Sequence, residues 1–126
     1  MKHKVLIVED EEPIAEAEKL ILEDSYEVHH AADGDTGLEM ANEIIPDIVL
    51  LDLMLPKRGG YELCFNLRQS EKFNKTKIIM VTAKNLDIDE DKGMLIGADD
   101  YITKPFEPEE LLHVIQQVLK DVNTAK

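Results

Sequence analysis

Five times along this chain a short apolar run gives way to an amphipathic stretch, and few folds accommodate that alternation. The runs fall at 5–8, 27–31, 48–51, 78–81 and 101–103. Val5-Leu6-Ile7-Val8, Ile48-Val49-Leu50-Leu51 and Ile78-Ile79-Met80-Val81 are continuously apolar, the pattern of strands covered by helices on both faces. The second run alternates and carries His29 and His30, which suits an edge. Neighbours in a strand point to opposite faces, so two adjacent histidines do not make a metal site. Between the runs, Ile14, Ala17 and Ile21, then Leu38, Ala41 and Ile45, then Tyr61, Cys64 and Leu67 recur at helical spacing. Asp33 or Asp35 can N-cap the second helix. The last helix is the plainest: Pro108 opens it, Glu109 and Glu110 face the positive end of its dipole, and Leu111, Ile115, Val118 and Val122 form one apolar face. A fourth helix, at 89–96, is weakly specified, being rich in acids and holding Gly93 at a cost of about 1 kcal/mol relative to alanine. Short connections between alternating strands and helices require right-handed crossovers and a parallel sheet. The expected fold is therefore α/β: a flavodoxin-like, doubly wound, five-stranded parallel sheet of order 2-1-3-4-5 with five helices.

With 126 residues, 44% of them hydrophobic, the chain has material for one globular domain, expected over 1–122 with 123–126 as a tail. No apolar run approaches the roughly 20 residues of a membrane span, and the N-terminus lacks the features of a secretory signal. A single cysteine, Cys64, can form no internal disulfide and reads as a small buried hydrophobe. A cytoplasmic protein is expected. Its net charge of −13, from 27 acids against 14 bases, repels a phosphate backbone, so neither nucleic acid nor membrane is an expected partner.

The polar residues that end the strands carry the chemistry. Glu9-Asp10 follows the first run, Asp52 closes the third, Thr82 the fourth, and Lys104-Pro105 the fifth. Strand order 2-1-3-4-5 places the first and third strands side by side, so Glu9, Asp10 and Asp52 should converge, with Thr82 and Lys104 across the same crevice. Three carboxylates in one place repel one another unless a hard cation joins them, and Mg2+ favours such ligands while keeping waters for a phosphoryl group to replace. Asp52 is then a plausible nucleophile toward phosphorus, with Lys104 and Thr82 available to the phosphoryl oxygens. Taken singly, Lys104 is better read as pairing with an acid and Thr82 as capping a loop. Five such residues at strand ends favour a site.

Val8-Glu9-Asp10-Glu11, Asp52-Leu53-Met54-Leu55-Pro56, Val81-Thr82-Ala83, Gly97-Ala98-Asp99-Asp100-Tyr101 and Lys104-Pro105-Phe106 resemble, in order and spacing, the motif set of receiver domains of two-component response regulators. The resemblance implies that Asp52 accepts a phosphoryl group from a sensor histidine kinase or phosphotransfer protein. It implies Mg2+ held by Asp10, Asp52 and the Met54 backbone carbonyl, with Glu9 contributing through water or hydrogen bonds. Thr82 and Lys104 would bind phosphoryl oxygens, the Lys104–Pro105 bond would be cis, and Tyr101 would turn inward as Thr82 moves toward Asp52. The face built from the 89–96 helix, the fifth strand and the last helix would change shape for a downstream protein or a fused output domain. Met54, Ala83 and Lys84 would tune access to Asp52 and the lifetime of its phosphate, Lys84 by shielding it.

The 97–111 stretch most resembles receivers fused to winged-helix DNA-binding domains, whose active dimers pair basic residues of the last helix with acids opposite. Here the middle of that helix reads His113-Val114-Ile115-Gln116-Gln117, without Arg or Lys, so the charge-paired dimer is poorly supported. A monomer is expected before phosphorylation, and dimerisation on activation stays open, as does whether the chain is a stand-alone receiver or a piece of a longer regulator. No separate substrate turnover is expected. A phosphoaspartate-forming hydrolase normally has a second acid two residues after its nucleophile, where this chain has Met54. A receiver fold that has lost phosphorylation is disfavoured by the intact set Asp10, Asp52, Thr82 and Lys104.

Overall fold

The apolar runs pair in parallel, as their burial demands. In the computed structural model, which describes residues 2–83 and 97–124, the strands are β1 (Lys4–Val8), β2 (Glu27–Ala31), β3 (Ile48–Asp52), β4 (Lys77–Ala83) and β5 (Asp100–Lys104). They form one sheet of order β2-β1-β3-β4-β5. Registers such as Val8 opposite Leu51, Asp52 opposite Val81 and Ala83 opposite Lys104 bring the carboxyl ends of four strands to one edge. Among the described residues the helices are α1 (Glu12–Leu22), α2 (Gly34–Ile44), α3 (Gly60–Arg68), a 3-10 turn (Glu71–Phe73) and α4 (Pro108–Thr124). The expected helix at 89–96 lies outside the described residues, as does Lys84. No described helix is long and apolar enough to cross a membrane.

Alternation along each strand divides the core between the two faces of the sheet. Val5, Ile7, Ile48, Leu50, Ile79 and Val81 face α1 and α4, where Ala15, Leu22, Leu111 and Ile115 cover them. Leu6, Val8, Val49, Leu51, Ile78 and Met80 face α2 and α3, against Ala41, Leu63, Cys64 and Leu67. Burying each of these larger side chains contributes about 1.5–3 kcal/mol.

Three sequence expectations change. The buried face of α1 is Ala15, Glu18 and Leu22, whereas Ile14 and Ile21 are half-buried and Ala17 is exposed. The apolar stripe runs through Ile14, Ala15, Ile21 and Leu22, so its centre line passes through Glu18. Helix α2 begins on Asp33, whose side chain accepts the Thr36 N–H at 2.8 Å, but it ends before Ile45. Ile45 caps the helix in the left-handed region at φ 46° instead of continuing its apolar face. Finally, α4 runs to Thr124, two residues into the stretch expected as tail, because no proline or glycine interrupts it.

Candidate functional site

Each acidic residue is placed by the strand before it. Strand β1 ends at Val8, and the turn that follows is fixed by the Glu9 N–H donating to the Ala31 carbonyl at 3.0 Å. His30 Nε2 donates to the Glu9 carbonyl at 2.8 Å, tying the edge strand to the same turn. Asp52 is the last residue of β3, and the next N–H, of Leu53, donates to the Val81 carbonyl at 3.1 Å. Carboxylate oxygens of Glu9, Asp10 and Asp52 lie within 4.8 Å of one another. Asp10 is exposed, whereas Glu9 and Asp52 are only 1% and 5% exposed.

Lys104, the last residue of β5, reaches across this group. Its ammonium donates to Glu9 Oε1 at 2.9 Å and to Asp52 Oδ2 at 3.4 Å. Glu9 Oε2 accepts the Glu11 N–H at 3.2 Å, and Asp52 Oδ1 accepts the Met54 N–H at 3.2 Å. One ammonium cannot balance two buried carboxylates and a third beside them. Burial pushes Glu9 up to about 7; Asp52 adds to the rise and the Lys104 hydrogen bond opposes it. For Lys104, burial alone would lower the pKa, but the Glu9 hydrogen bond and the charges of both acids outweigh it and the net direction is upward. An added cation would find oxygen ligands already assembled and would relieve their repulsion, so the donor set fits a hard divalent ion.

Thr82 is 0% exposed, and its Oγ1 has no hydrogen-bond partner among the described residues. A buried hydroxyl without an acceptor is costly and rare, and this one lies one residue beyond Val81, the partner of Asp52. Tyr101 is half-buried against the cluster that contains Leu6 and Met80. The Met54 side chain is exposed, Ala83 is the last residue of β4, and the Lys104–Pro105 peptide is cis.

One buried acid near the site escaped the sequence reading. Glu18 is 1% exposed, and its Oε1 is without a partner among the described residues. Burial, then the charges of Glu9 and, more weakly, Asp52, push it up to about 8, with Lys104 opposing. An acid between Ala15 and Leu22 would have been noticed had the stripe been centred one position later.

The family profile described as the response regulator receiver domain matches residues 5–116. The chain belongs to that family. A candidate response regulator from Chloroflexus aurantiacus is 38% identical, with 95% of this chain and 99% of that one covered and a TM-score of 0.89. The chemotaxis response regulator CheY4 of Vibrio cholerae is 33% identical, with coverages of 94% and 99% and a TM-score of 0.88. The receiver domain of sensor histidine kinase PA1611 from Pseudomonas aeruginosa is 29% identical, with coverages of 95% and 99% and a TM-score of 0.86. That structure has a magnesium ion coordinated in its active-site cleft. Receiver domains are signalling modules and not substrate-turning enzymes, and this chain has the five-stranded sheet and acidic cluster of one.

Proposed function

We propose that this receiver is a phosphorylation-activated switch in which Asp52 takes a phosphoryl group from the phosphohistidine of a sensor histidine kinase or a phosphotransfer protein. The observation that carries the reading is the Lys104 ammonium held between Glu9 and Asp52, 2.9 and 3.4 Å away, beside a third carboxylate. An Asp52 oxygen forms the new bond to phosphorus as the phosphorus–nitrogen bond of the donor breaks and the imidazole leaves. Mg2+, held by Asp10, Asp52 and the Met54 carbonyl with Glu9 contributing through water or hydrogen bonds, would neutralise charge on the transferring group. Lys104 exchanges a carboxylate for a phosphoryl oxygen. Thr82, with a buried hydroxyl lacking an acceptor among the described residues, supplies a hydrogen bond to another.

Drawing Thr82 toward Asp52 frees space that the half-buried Tyr101 ring can take, which reshapes the surface around β5 and α4 for a downstream protein or a fused output domain. No nucleic acid contact is assigned to a surface with a net charge of −13. The unphosphorylated chain is monomeric and cytoplasmic in this reading. A charge-paired dimer has one acid fewer at its disposal, because Asp99 Oδ2 already accepts from Arg68 Nη2 and the Ile78 N–H, each at 2.8 Å.

The test is intact mass and oligomeric state after incubation with acetyl phosphate and Mg2+, for wild type and Asp52→Asn. A base-labile phosphoryl adduct on wild type alone is expected, and its absence would sink the mechanism. Adduct decay in Lys84→Glu should be faster than in wild type if Lys84 shields the phosphate; an equal or slower rate removes that role.

A further inference from the structure

The segment from Leu53 to Gly59 joins Asp52 to α3 and contains Met54, and it is bound at several points to the start of α2. The Arg58 guanidinium gathers acceptors from two helices: Nε donates to Asp35 Oδ1 at 3.0 Å, and Nη1 to Asn66 Oδ1 at 2.6 Å and Glu62 Oε2 at 3.3 Å. The neighbouring Lys57 ammonium lies 3.7 Å from Asp33 Oδ2. Gly34, the first residue of α2, presses so closely on this segment that a Cβ there would stand 2.1 Å from the Arg58 carbonyl oxygen. A Cβ on Gly60 would stand 2.5 Å from the Asp52 carbonyl oxygen. Between these contacts Lys57 occupies the left-handed region at φ 69°, a conformation that persists in a non-glycine residue only where its surroundings enforce it.

We propose that Arg58, paired with Asp35, is a positioning residue for the metal site: it holds the 53–59 segment on α2 and so fixes the Met54 main chain for Mg2+. The inference rests on the phosphoryl-acceptor reading above. A lone exposed ion pair contributes little to stability, so the role is in placement. Three polar groups from α2 and α3 converge on one guanidinium, and the main chain they anchor already supplies the Met54 N–H to Asp52 Oδ1 at 3.2 Å.

Backbone-amide NMR titration with MgCl2 of wild type, Arg58→Ala, Arg58→Lys, Asp35→Asn and the Arg58→Ala/Asp35→Asn double variant tests this. Arg58→Ala and Asp35→Asn should each weaken Mg2+ binding by about 10-fold, the low end for loss of an outer-shell partner, the double variant should add little to either, and Arg58→Lys should recover part of the loss. With acetyl phosphate, the change should fall on the Mg2+ concentration giving half-maximal phosphorylation and not on the rate at saturating Mg2+. Unchanged Mg2+ affinity alongside a lowered melting temperature overturns the proposal, reducing Arg58 to a structural tie. If Arg58→Ala does not fold, Asp35→Asn, whose side chain is exposed, decides by the same criterion. Wild type showing no Mg2+-dependent shifts defeats the phosphoryl-acceptor reading itself, and the clamp with it; normal wild-type binding with unaffected variants defeats only the clamp.

Discussion

The Lys104 ammonium donates to Glu9 Oε1 at 2.9 Å, joining residues 95 positions apart at the carboxyl edge of the sheet. That bond leaves Asp52 with the longer contact, 3.4 Å, so the metal-free site holds more negative charge than one lysine can balance. Asp52→Asn should therefore stabilise the protein in chelator, by about 1 kcal/mol or a few degrees in melting temperature. Thermal unfolding in EDTA checks this. A lower melting temperature would mean that attraction to Lys104 outweighs repulsion from Glu9.

Magnesium should stabilise the folded chain, since an ion that binds only the native state adds about 1.4 kcal/mol at tenfold excess over its dissociation constant. Asp10→Asn should remove most of that increment while leaving the melting temperature in EDTA unchanged or higher. Differential scanning fluorimetry across a MgCl2 series measures both, and an equal Mg2+ response in the variant would take Asp10 out of the ligand set.

Glu18 should make stability fall as pH rises. Burial, with help from Glu9 and Asp52, holds its pKa at about 8 against an ordinary value of 4.5. Below 4.5 both folded and unfolded chains carry the proton, and the contribution is fully present. Between those values only the folded chain keeps it, so stability declines by up to about 1.4 kcal/mol per pH step and levels off above pH 8. Glu9, pushed up to about 7, adds a slope of the same sign. Glu18→Gln should flatten the decline, and Glu18→Leu should also raise stability at neutral pH. Urea unfolding from pH 5 to 8 reads the difference; parallel curves for variant and wild type would mean that Glu18 titrates normally.

Ile45→Gly should stabilise. A β-branched residue at φ 46° is strained by about 1–2 kcal/mol, whereas glycine adopts that backbone freely. The Ile45 side chain is 40% exposed, so its loss forfeits only part of its burial. A rise of about 1 kcal/mol in unfolding free energy is expected by urea titration, and a fall would show that its packing outweighs the strain.

Strand positions and sheet order were legible because both are local or topological consequences of pattern. Continuous apolar runs can be satisfied only between two helical layers, and short right-handed crossovers leave few orders open. Glu9, Asp10, Asp52, Thr82 and Lys104 could be picked out because a polar residue ending such a run lies at the sheet edge whatever the details. The second-helix boundary was less legible: periodicity carried Ile45 into the helix, while its backbone had already turned left-handed to leave it. The rotation of α1 was not legible at all, since a helix can turn by one residue about its axis and keep much the same apolar stripe.

Residue order by itself determined the doubly wound sheet and the set of groups at its carboxyl edge, because hydrophobic period and strand ends are properties of the chain alone. Tertiary structure decided that Lys104 bonds Glu9 more closely than Asp52, that Glu18 is buried with its Oε1 unpartnered among the described residues, and that Arg58 ties the segment after Asp52 to α2. Those outcomes depend on how elements distant in sequence dock, and on the low dielectric their docking creates, in which the pairing or isolation of a single charge sets its protonation.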